Sequence, residues 1–169
     1  MKNEHIWNDY IQSRKGIYGM IMPNQVSSNL ISEANWMIRA RCQSCEDLGM
    51  EVSPGDICYM DFGQAYLNEA GYQHFGLVVS ICNKKALVVP MTSNAATYAK
   101  AWDPKTNPQG KKHLMRLPEI RGLYKKSVLF LNDIKFINTA RIIRITGHLS
   151  VRCATFHEIK ERLRTLLQV

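Results

Sequence analysis

Residues 74–94 read HFGLVVSICNKKALVVPMTSN and hold two apolar runs, 77–82 and 86–91, on either side of Asn83-Lys84-Lys85. Short runs rich in Val and Leu around a polar turn predict an antiparallel β-hairpin. Their nearly unbroken apolar character indicates that this hairpin is buried. It starts at His74 and ends at Thr92-Ser93-Asn94, so polar side chains stand at both of its open ends.

The chain around the hairpin shows more short strand signals, at residues 56–62, 113–117, 127–131 and 141–147. Residues 63–73 and 93–111 carry turn residues without apolar periodicity, which predicts loops. Near the C-terminus apolar residues recur with helical spacing at Phe156, Ile159, Leu163, Leu166 and Leu167. This order predicts an α+β fold, a small and strongly bent antiparallel sheet or barrel closed by one helix.

The first fifty residues have a different pattern. Residues 3–13 can form a short helix, and two glycines and a proline at 16–26 predict a break. Residues then recur at three- and four-residue steps, namely Leu30, Ile31, Ala34, Met37, Ile38 and Arg41, which predicts a helix from Ser28 or Asn29 to about residue 48, with Gly49 as its C-cap. We therefore predict a helical extension (residues 1–51) before a sheet domain (residues 52–169).

The composition excludes several classes of protein. No apolar stretch is long enough to span a membrane, and the N-terminus lacks the apolar core of a secretory signal, so we expect a cytoplasmic protein. Five cysteines, an odd number, favour free thiols. Cys42 and Cys45 form a C-x-x-C without a second ligand pair, and neither a P-loop nor a dinucleotide fingerprint occurs. We expect neither a metal nor a cofactor.

The positive charge of the chain is concentrated in one segment. Residues 1–83 carry 5 Lys/Arg and 9 Asp/Glu, whereas residues 84–152 carry 14 and 3. Such asymmetry indicates a surface that binds a polyanion, and nucleic acid is the first candidate.

The order of several short motifs resembles the MazF/PemK (Kid) family of toxins. Gly55-Asp56-Ile57 and Asp61-Phe62 are followed by Glu69-Ala70-Gly71, GLVVS at 76–80, VVPMTSN at 88–94 and SVLFLNDIKFIN at 127–138. The phrase VVPMTSN is similar to the family's V-V-P-x-T-S. The resemblance runs from about residue 54 to the end and leaves the helical extension outside it.

This resemblance implies an SH3-like barrel that forms a homodimer, cleaves single-stranded RNA without a metal and is neutralised by an antitoxin. The family's arginine before the second strand is matched here by His74-Phe75, or by Gln73-His74. Its Thr/Ser pair is kept as Thr92 and Ser93, and an acidic position of some members is matched by Asn132. Asp133 stands beside it and is more typical of a turn.

RNA cleavage by the neighbouring 2′-OH needs a base, an acid and donors for the phosphate. Histidine can serve as acid or base, and hydroxyl groups can hold the phosphate. Counted from the turn, residue 92 lies opposite about residue 76, so His74, Thr92 and Ser93 should be neighbours. With Asn132 they are the predicted catalytic residues. A barrel-edge histidine and a simple ST-turn fit the same pattern, and that alternative stays open.

Cations and aromatic rings supply the predicted RNA-binding surface, since unpaired bases stack on aromatic side chains. The predicted RNA-binding residues are Tyr66, Tyr72, Gln73, Lys111, Lys112, His113, Arg116 and Lys135.

Two alternatives to a MazF-type nuclease with a protein antitoxin remain. A nuclease neutralised by an RNA antitoxin, as in ToxN-like systems, would suit the extra segment and the basic face. A non-catalytic RNA-binding or regulatory protein on the same scaffold would suit the replaced arginine.

Overall fold

The structure of the protein is a computed structural model and describes residues 3–168. In chain order, the helices and strands are α1 (Glu4–Tyr18), α2 (Pro23–Arg39), β1 (Asp56–Asp61), β2 (Gln73–Cys82), β3 (Lys85–Thr92), α3 (Ala95–Lys100), β4 (Leu114–Arg116), β5 (Val128–Phe130), β6 (Lys135–Asn138), β7 (Ile142–His148) and α4 (Ala154–Leu167). Short 3₁₀ turns occur at Cys45–Leu48, Leu131–Asp133 and Thr139–Arg141.

The predicted hairpin is β2–β3, and its turn is tighter than expected. Cys82 pairs with Lys85, and only Asn83 and Lys84 lie between them, with φ values of 44° and 66°. Two consecutive residues with positive φ match the right-handed twist of the strands they join. A bulge between Val78 and Ser80 shifts the register further along.

The sheet is antiparallel and bent, as predicted, but it is not a closed barrel. Its strands follow the order β4-β5-β3-β2-β1-β7, and β6 pairs with β3. Within residues 3–168 this path ends at β4 on one side and at β7 on the other, so closure was predicted wrongly. The α+β class, the C-terminal helix and the N-terminal helices are confirmed.

The bent sheet has a hydrophobic core on each face, which explains why β2 and β3 are apolar almost throughout. On one face Ile57, Leu77 and Val89 pack with Phe156, Ile159 and Leu163 of α4. On the other, Cys58, Val78 and Ile142 pack together. Successive residues of one strand therefore enter opposite cores.

The thiol of Cys58 belongs to the second of these cores and has no solvent exposure. Burial, reinforced by the negative charge of Asp56, raises its pKa to about 12. The thiol therefore stays protonated in the folded protein.

Gly55, the glycine of the Gly-Asp-Ile motif, has φ of 95°, and a Cβ there would lie 2.3 Å from the carbonyl oxygen of Leu149. Leu149 N–H donates to the carbonyl of Gly55 at 2.8 Å. Glycine is required here because the chain before β1 passes directly against the chain after β7.

The two N-terminal helices differ from their predicted bounds. α1 continues through Gly16 to Tyr18, since one glycine weakens a helix without ending it. α2 begins at Pro23, because proline fits the first turn of a helix, and its Gln25 side chain accepts from Met22 N–H. It ends at Arg39 rather than near residue 48, so Cys42 and Cys45 lie beyond it. Gly49 instead caps the 3₁₀ turn, with φ of 69°.

α2 packs its polar face against the rest of the protein, whereas an amphipathic helix usually packs its apolar face. Its buried residues are Asn29 and Ser32, whereas its apolar residues face outward. We call these outward residues the apolar stripe: Leu30, Ile31, Ala34, Met37 and Ile38. The predicted helical period is confirmed, and the stripe points away from the sheet.

Two further differences concern the chain after the hairpin. The segment 93–111, predicted as a loop, contains α3, whose start is capped by Asn94 Oδ1 accepting from Thr97 N–H. β6 was not predicted at all, because its four residues carry no alternation that separates them from a turn. Among residues 3–168, no helix combines the length and apolarity that crossing a bilayer requires.

Candidate active site

Two antiparallel strand pairs bring their ends to the same part of the sheet: the start of β2 lies beside the end of β3, and the start of β4 lies beside the end of β5. His74 lies at the start of β2 and Thr92 at the end of β3. His113 precedes β4, and Asn132 follows β5 in a 3₁₀ turn. All four line one cleft of about 470 Å³. We call it the strand-end cleft.

The hairpin register places His74 beside Thr92 more directly than the sequence predicted. Phe75 pairs with Met91, and the next pair along the two strands is His74 with Thr92. The predicted partner of residue 92 was residue 76, which pairs with Pro90 instead. The shorter turn and the bulge account for the two-residue difference.

The loop between β1 and β2, residues 62–72, closes one side of the cleft with Asn68, Glu69 and Ala70. Ala70 N–H donates to Asp133 Oδ2 at 2.5 Å, and Lys135 Nζ lies 3.3 Å from the Ala70 carbonyl and 3.0 Å from Asp133 Oδ1. Asp133 and Lys135 therefore hold this loop over the cleft.

Glu69 was missed as a site residue. The motif Glu69-Ala70-Gly71 served only as a family marker in the sequence, although a carboxylate in a loop beside a predicted site was the available signal. The structure puts it in the same cleft as His74 and His113.

Both histidines in the cleft favour the neutral imidazole. Partial loss of water lowers the pKa of His74 below its ordinary value. The pKa of His113 is lowered by desolvation and by the positive charge of Lys111. Neutral imidazole can accept a proton, and a lowered pKa makes the protonated form a stronger acid.

The hydroxyl pair at the end of β3 is divided between two environments. Thr92 lines the cleft, and its Oγ1 accepts from Asn94 N–H at 3.2 Å. Ser93 is exposed and is not part of the cleft lining. The bond from Asn94 is the ST-turn of the simpler interpretation, and it leaves the Thr92 proton available for donation.

Among the predicted RNA-binding residues, three have side chains that are free at the surface. Lys111 and Lys112 are exposed immediately before His113, and Tyr66 in the loop 62–72 is 86% exposed. His113 lines the cleft, whereas the polar groups of Tyr72, Gln73, Arg116 and Lys135 are already engaged within the protein.

Arg116 donates to the Tyr98 carbonyl and to Thr106 Oγ1 and lies 3.5 Å from Asp103, so it anchors the segment after α3. Lys135 holds Ala70, as described above. Both cations stabilise loops rather than extend into solvent.

Tyr72 and Gln73, at the end of the loop 62–72, contact the helical extension and β1. Asn29 of α2 donates to the Tyr72 hydroxyl at 2.7 Å. Gln73 donates to Asp61 Oδ2 at 2.7 Å.

Asp61 ties the other end of the same loop to α2. Its buried carboxylate accepts from Ser32 Oγ at 2.7 Å, from Asn35 Nδ2 at 3.1 Å and from Gly63 N–H at 2.8 Å, besides Gln73. The helical extension thus fixes both ends of the loop whose middle lines the strand-end cleft.

A family model described as "PemK-like, MazF-like toxin of type II toxin-antitoxin system" matches residues 53–167. The chain belongs to this toxin family. The helical extension lies before the matched region, and the strand-end cleft lies within it.

Solved structures of MazF toxins share the fold. MazF of Deinococcus radiodurans is 16% identical, with a TM-score of 0.54 over 71% of this chain and 99% of that one. A mycobacterial endoribonuclease in complex with its cognate antitoxin is 14% identical, with a TM-score of 0.50 over 70% of this chain and 97% of the other. A search of curated proteins found no significant match.

Proposed function

We propose that this MazF-like protein is the toxin of a toxin–antitoxin pair and cleaves single-stranded RNA in the strand-end cleft. One observation carries the proposal: two histidines that favour the neutral form, a threonine hydroxyl and an asparagine amide line the same cleft. These groups supply what 2′-OH attack requires, namely proton transfer and phosphate binding.

In the proposed reaction, neutral His74 accepts the proton of the 2′-OH as its oxygen bonds to the adjacent phosphorus. The bond from phosphorus to the 5′-oxygen breaks, and protonated His113 gives that oxygen its proton. Thr92 and Asn132 donate hydrogen bonds to the phosphate oxygens. The products are a 2′,3′-cyclic phosphate and a 5′-hydroxyl, and the route uses neither metal nor cofactor.

RNA binding in this proposal relies on the free residues at the cleft rim. Lys111 and Lys112 attract the phosphates, and the exposed ring of Tyr66 offers a stacking surface. Ser93, exposed next to Thr92, contacts a neighbouring phosphate. Tyr72, Gln73, Arg116 and Lys135 support binding by holding the loops that carry these residues.

The test is cleavage of single-stranded RNA with detection of 2′,3′-cyclic phosphate ends. His74→Ala and His113→Ala should each lower the cleavage rate by about 10²-fold or more, as expected for loss of a general acid or base. Thr92→Ala should lower it less. His157→Ala, an exposed histidine on α4, is the matched control and should cleave normally. Full activity of both cleft variants would contradict the assignment.

The pH dependence of cleavage tests whether one histidine, His74, acts as the base and the other, His113, as the acid. A neutral base and a protonated acid give a bell-shaped profile whose maximum lies between their two pKa values. Because the pKa values of His74 and His113 are both lowered, the optimum of kcat/KM should lie on the acidic side of about 6.5, the ordinary histidine value. A rate that rises steadily through pH 8 would exclude this pairing.

A second candidate function is RNA binding without cleavage. Within the part of the chain that the structure describes, the cleft lining contains Glu69 and Asp133 but no lysine or arginine. The Glu69 carboxylate opposes an incoming phosphate, whereas that of Asp133 is paired with Lys135, and this repulsion favours a binding role at the rim over chemistry in the cleft. Retarded but intact RNA in a gel-shift assay, together with normal growth on induced expression, would support it.

We infer that the natural partner is a protein antitoxin and that the toxin acts in the cytoplasm as a homodimer. The type II family match supports the protein partner, as does the fold shared with the mycobacterial endoribonuclease, whose structure contains its cognate antitoxin. An acidic antitoxin also suits the basic segment 84–152. Co-expression with the product of the adjacent reading frame should restore growth, whereas rescue by a noncoding transcript alone would point to an RNA antitoxin.

A further inference from the structure

The helical extension exposes an unusual share of the protein's large apolar side chains. Of the twenty such exposed residues within residues 3–168, eleven lie between residues 6 and 38. They are Ile6, Trp7, Tyr10, Ile17, Met20, Met22, Leu30, Ile31, Trp36, Met37 and Ile38. Concentrated apolar exposure on a water-soluble surface marks an interface.

α1 gives a second indication that part of this surface is covered in solution. It buries none of its residues, and an ion pair from Arg14 to Glu33, at 2.5 Å, links it to α2. An isolated helix of about 15 residues is marginal in water, so a helix packed as lightly as α1 gains stability from any further contact.

The apolar stripe of α2 is symmetric about its centre. Relative to Ala34, apolar residues stand four and three positions before it, at Leu30 and Ile31, and three and four positions after it, at Met37 and Ile38. These spacings keep all five on one face over about 12 Å of helix. Leu30 and Met37 lie on one side of the stripe, and Ile31 and Ile38 lie on the other.

A symmetric stripe suits a partner helix of the same sequence running in the opposite direction. A two-fold interface requires that residue i of one copy meets residue j of the other and the reverse. With the axis at Ala34, Leu30 and Ile31 of one copy face Met37 and Ile38 of the other. The small alanine side chain lets the two helices approach closely at the crossing point.

The charges favour a second copy over other occupants. Residues 1–50 carry five Lys/Arg and five Asp/Glu, so two extensions do not repel each other, whereas an acidic antitoxin is attracted to the basic segment 84–152. A lipid surface binds helices whose polar face offers free cations. The polar face of α2 is turned to the sheet, where Arg39 donates to the carbonyls of Ala140 and Ile142 at 3.0 and 2.8 Å.

We propose that two copies of this protein associate through antiparallel pairing of their α2 helices across the apolar stripe, with α1 packing over the joint. This contact lies outside the region matched by the toxin family. It is therefore separate from any dimer formed by the sheet domain, and it leaves the strand-end cleft of each copy untouched.

The first test is the molar mass of the full chain, measured by light scattering over a concentration series. Ile31→Glu with Ile38→Glu places charges on the solvent-facing side of α2, so the fold of one copy is preserved. This double variant should halve the mass, from dimer to monomer or from tetramer to dimer if the sheet domain also associates. Leu167→Glu, on an exposed apolar residue of α4, is the matched control and should leave the mass unchanged.

The second test fixes the register by disulfide cross-linking. In a chain with Cys42, Cys82 and Cys153 replaced by Ser, Ala34→Cys should form a covalent dimer on mild oxidation, because the two-fold axis brings residue 34 against itself. Chains with Leu30→Cys should cross-link to chains with Ile38→Cys. Ala99→Cys, an exposed alanine on α3, is the control.

Two outcomes would overturn the proposal. One is an unchanged mass for the double glutamate variant together with Ala34→Cys cross-linking no better than Ala99→Cys. The other is binding of the wild-type chain to phosphatidylcholine vesicles that the double variant loses without any change in mass, which would assign the stripe to lipid.

Discussion

Apolar residues recur with helical spacing in both α2 and α4, but the apolar face of α4 is buried and that of α2 is exposed. α4 packs Phe156, Ile159 and Leu163 against the sheet. α2 turns Leu30, Ile31 and Ile38 to solvent and buries Asn29 and Ser32. An apolar period therefore predicts that a helix has an apolar face, but it does not predict whether that face packs against the sheet or is exposed to solvent.

The two helices are consequently held by different forces. α4 gains stability by removing apolar area from water, which tolerates small shifts of position. α2 is held by directional hydrogen bonds, two of which, from Ser32 and Asn35, end on Asp61. Gly63 and Gln73, at the two ends of the loop 62–72, donate to the same carboxylate, so Asp61 fixes α2 and the loop relative to each other. Hydrophobic contact attaches α4 to the sheet, and hydrogen bonding aligns α2 with the site.

The largest expected effect comes from truncating the same residue type on each helix. Ile159→Ala, on a fully buried residue, should lower the free energy of unfolding by about 3 kcal/mol because it opens a cavity in the core. Ile38→Ala, on a residue 76% exposed, should change it by less than about 0.5 kcal/mol in dilute protein. Urea denaturation measures both, and equal losses would remove the distinction between the helices.

An intermediate effect is expected at Asp61, whose carboxylate hydrogen-bonds to α2 and to the loop 62–72. Asp61→Ala leaves Ser32, Asn35 and Gln73 without their acceptor in a buried place, which should cost about 2 kcal/mol. Amide exchange should quicken in α2 and in the loop 62–72 while β3 and β5 stay protected. The cleavage kcat should fall more than KM rises, because the loop 62–72 no longer closes the side of the cleft that holds His74 and Thr92.

Asp103→Ala is the control for that experiment, since Asp103 closes an exposed turn far along the chain. It should leave amide exchange in α2 unchanged. If amide protons of β3 and β5 exchange as fast as those of α2 in the Asp61 variant, the hydrogen bonds to Asp61 stabilise the whole fold rather than the loop 62–72.

The smallest effect concerns the pH dependence of stability. The pKa values of His74 and His113 are lower in the folded protein than the ordinary value of about 6.5, so the unfolded chain binds protons more readily. Their contribution to stability is therefore lost as the pH falls through about 6.5. His74→Gln with His113→Gln should flatten the decline in melting temperature between pH 7 and pH 5, and an identical slope would contradict the lowered values.

Local pattern was sufficient for much of the fold. The hairpin, β1, β4, β5, β7 and α4 follow from runs of apolar residues and turn chemistry within a few positions. The meeting of His74 with Thr92 also follows, because it needs only hairpin geometry. The bulge at Val79 shifts the pairing of β2 with β3 by one residue, and no local sequence signal predicts this shift.

The rest depends on contacts between distant segments. The outward direction of the apolar stripe is set by Asp61 and the carbonyl groups of Ala140 and Ile142, none of which a helix sequence reveals. Glu69 enters the cleft because Asp133 holds Ala70 from 63 positions away. Sheet closure was overestimated because strand count and bend do not fix which edges pair.

The rate at which the buried thiol of Cys58 is alkylated measures how often the core of the sheet opens. A thiol with a pKa of about 12 supplies almost no thiolate at neutral pH, so alkylating reagents cannot modify it until the core separates. Cys82, exposed at the hairpin turn, reacts at once and serves as the reference. The lag between the two labelling reactions reports how long the core stays closed, and it requires no substitution in the chain.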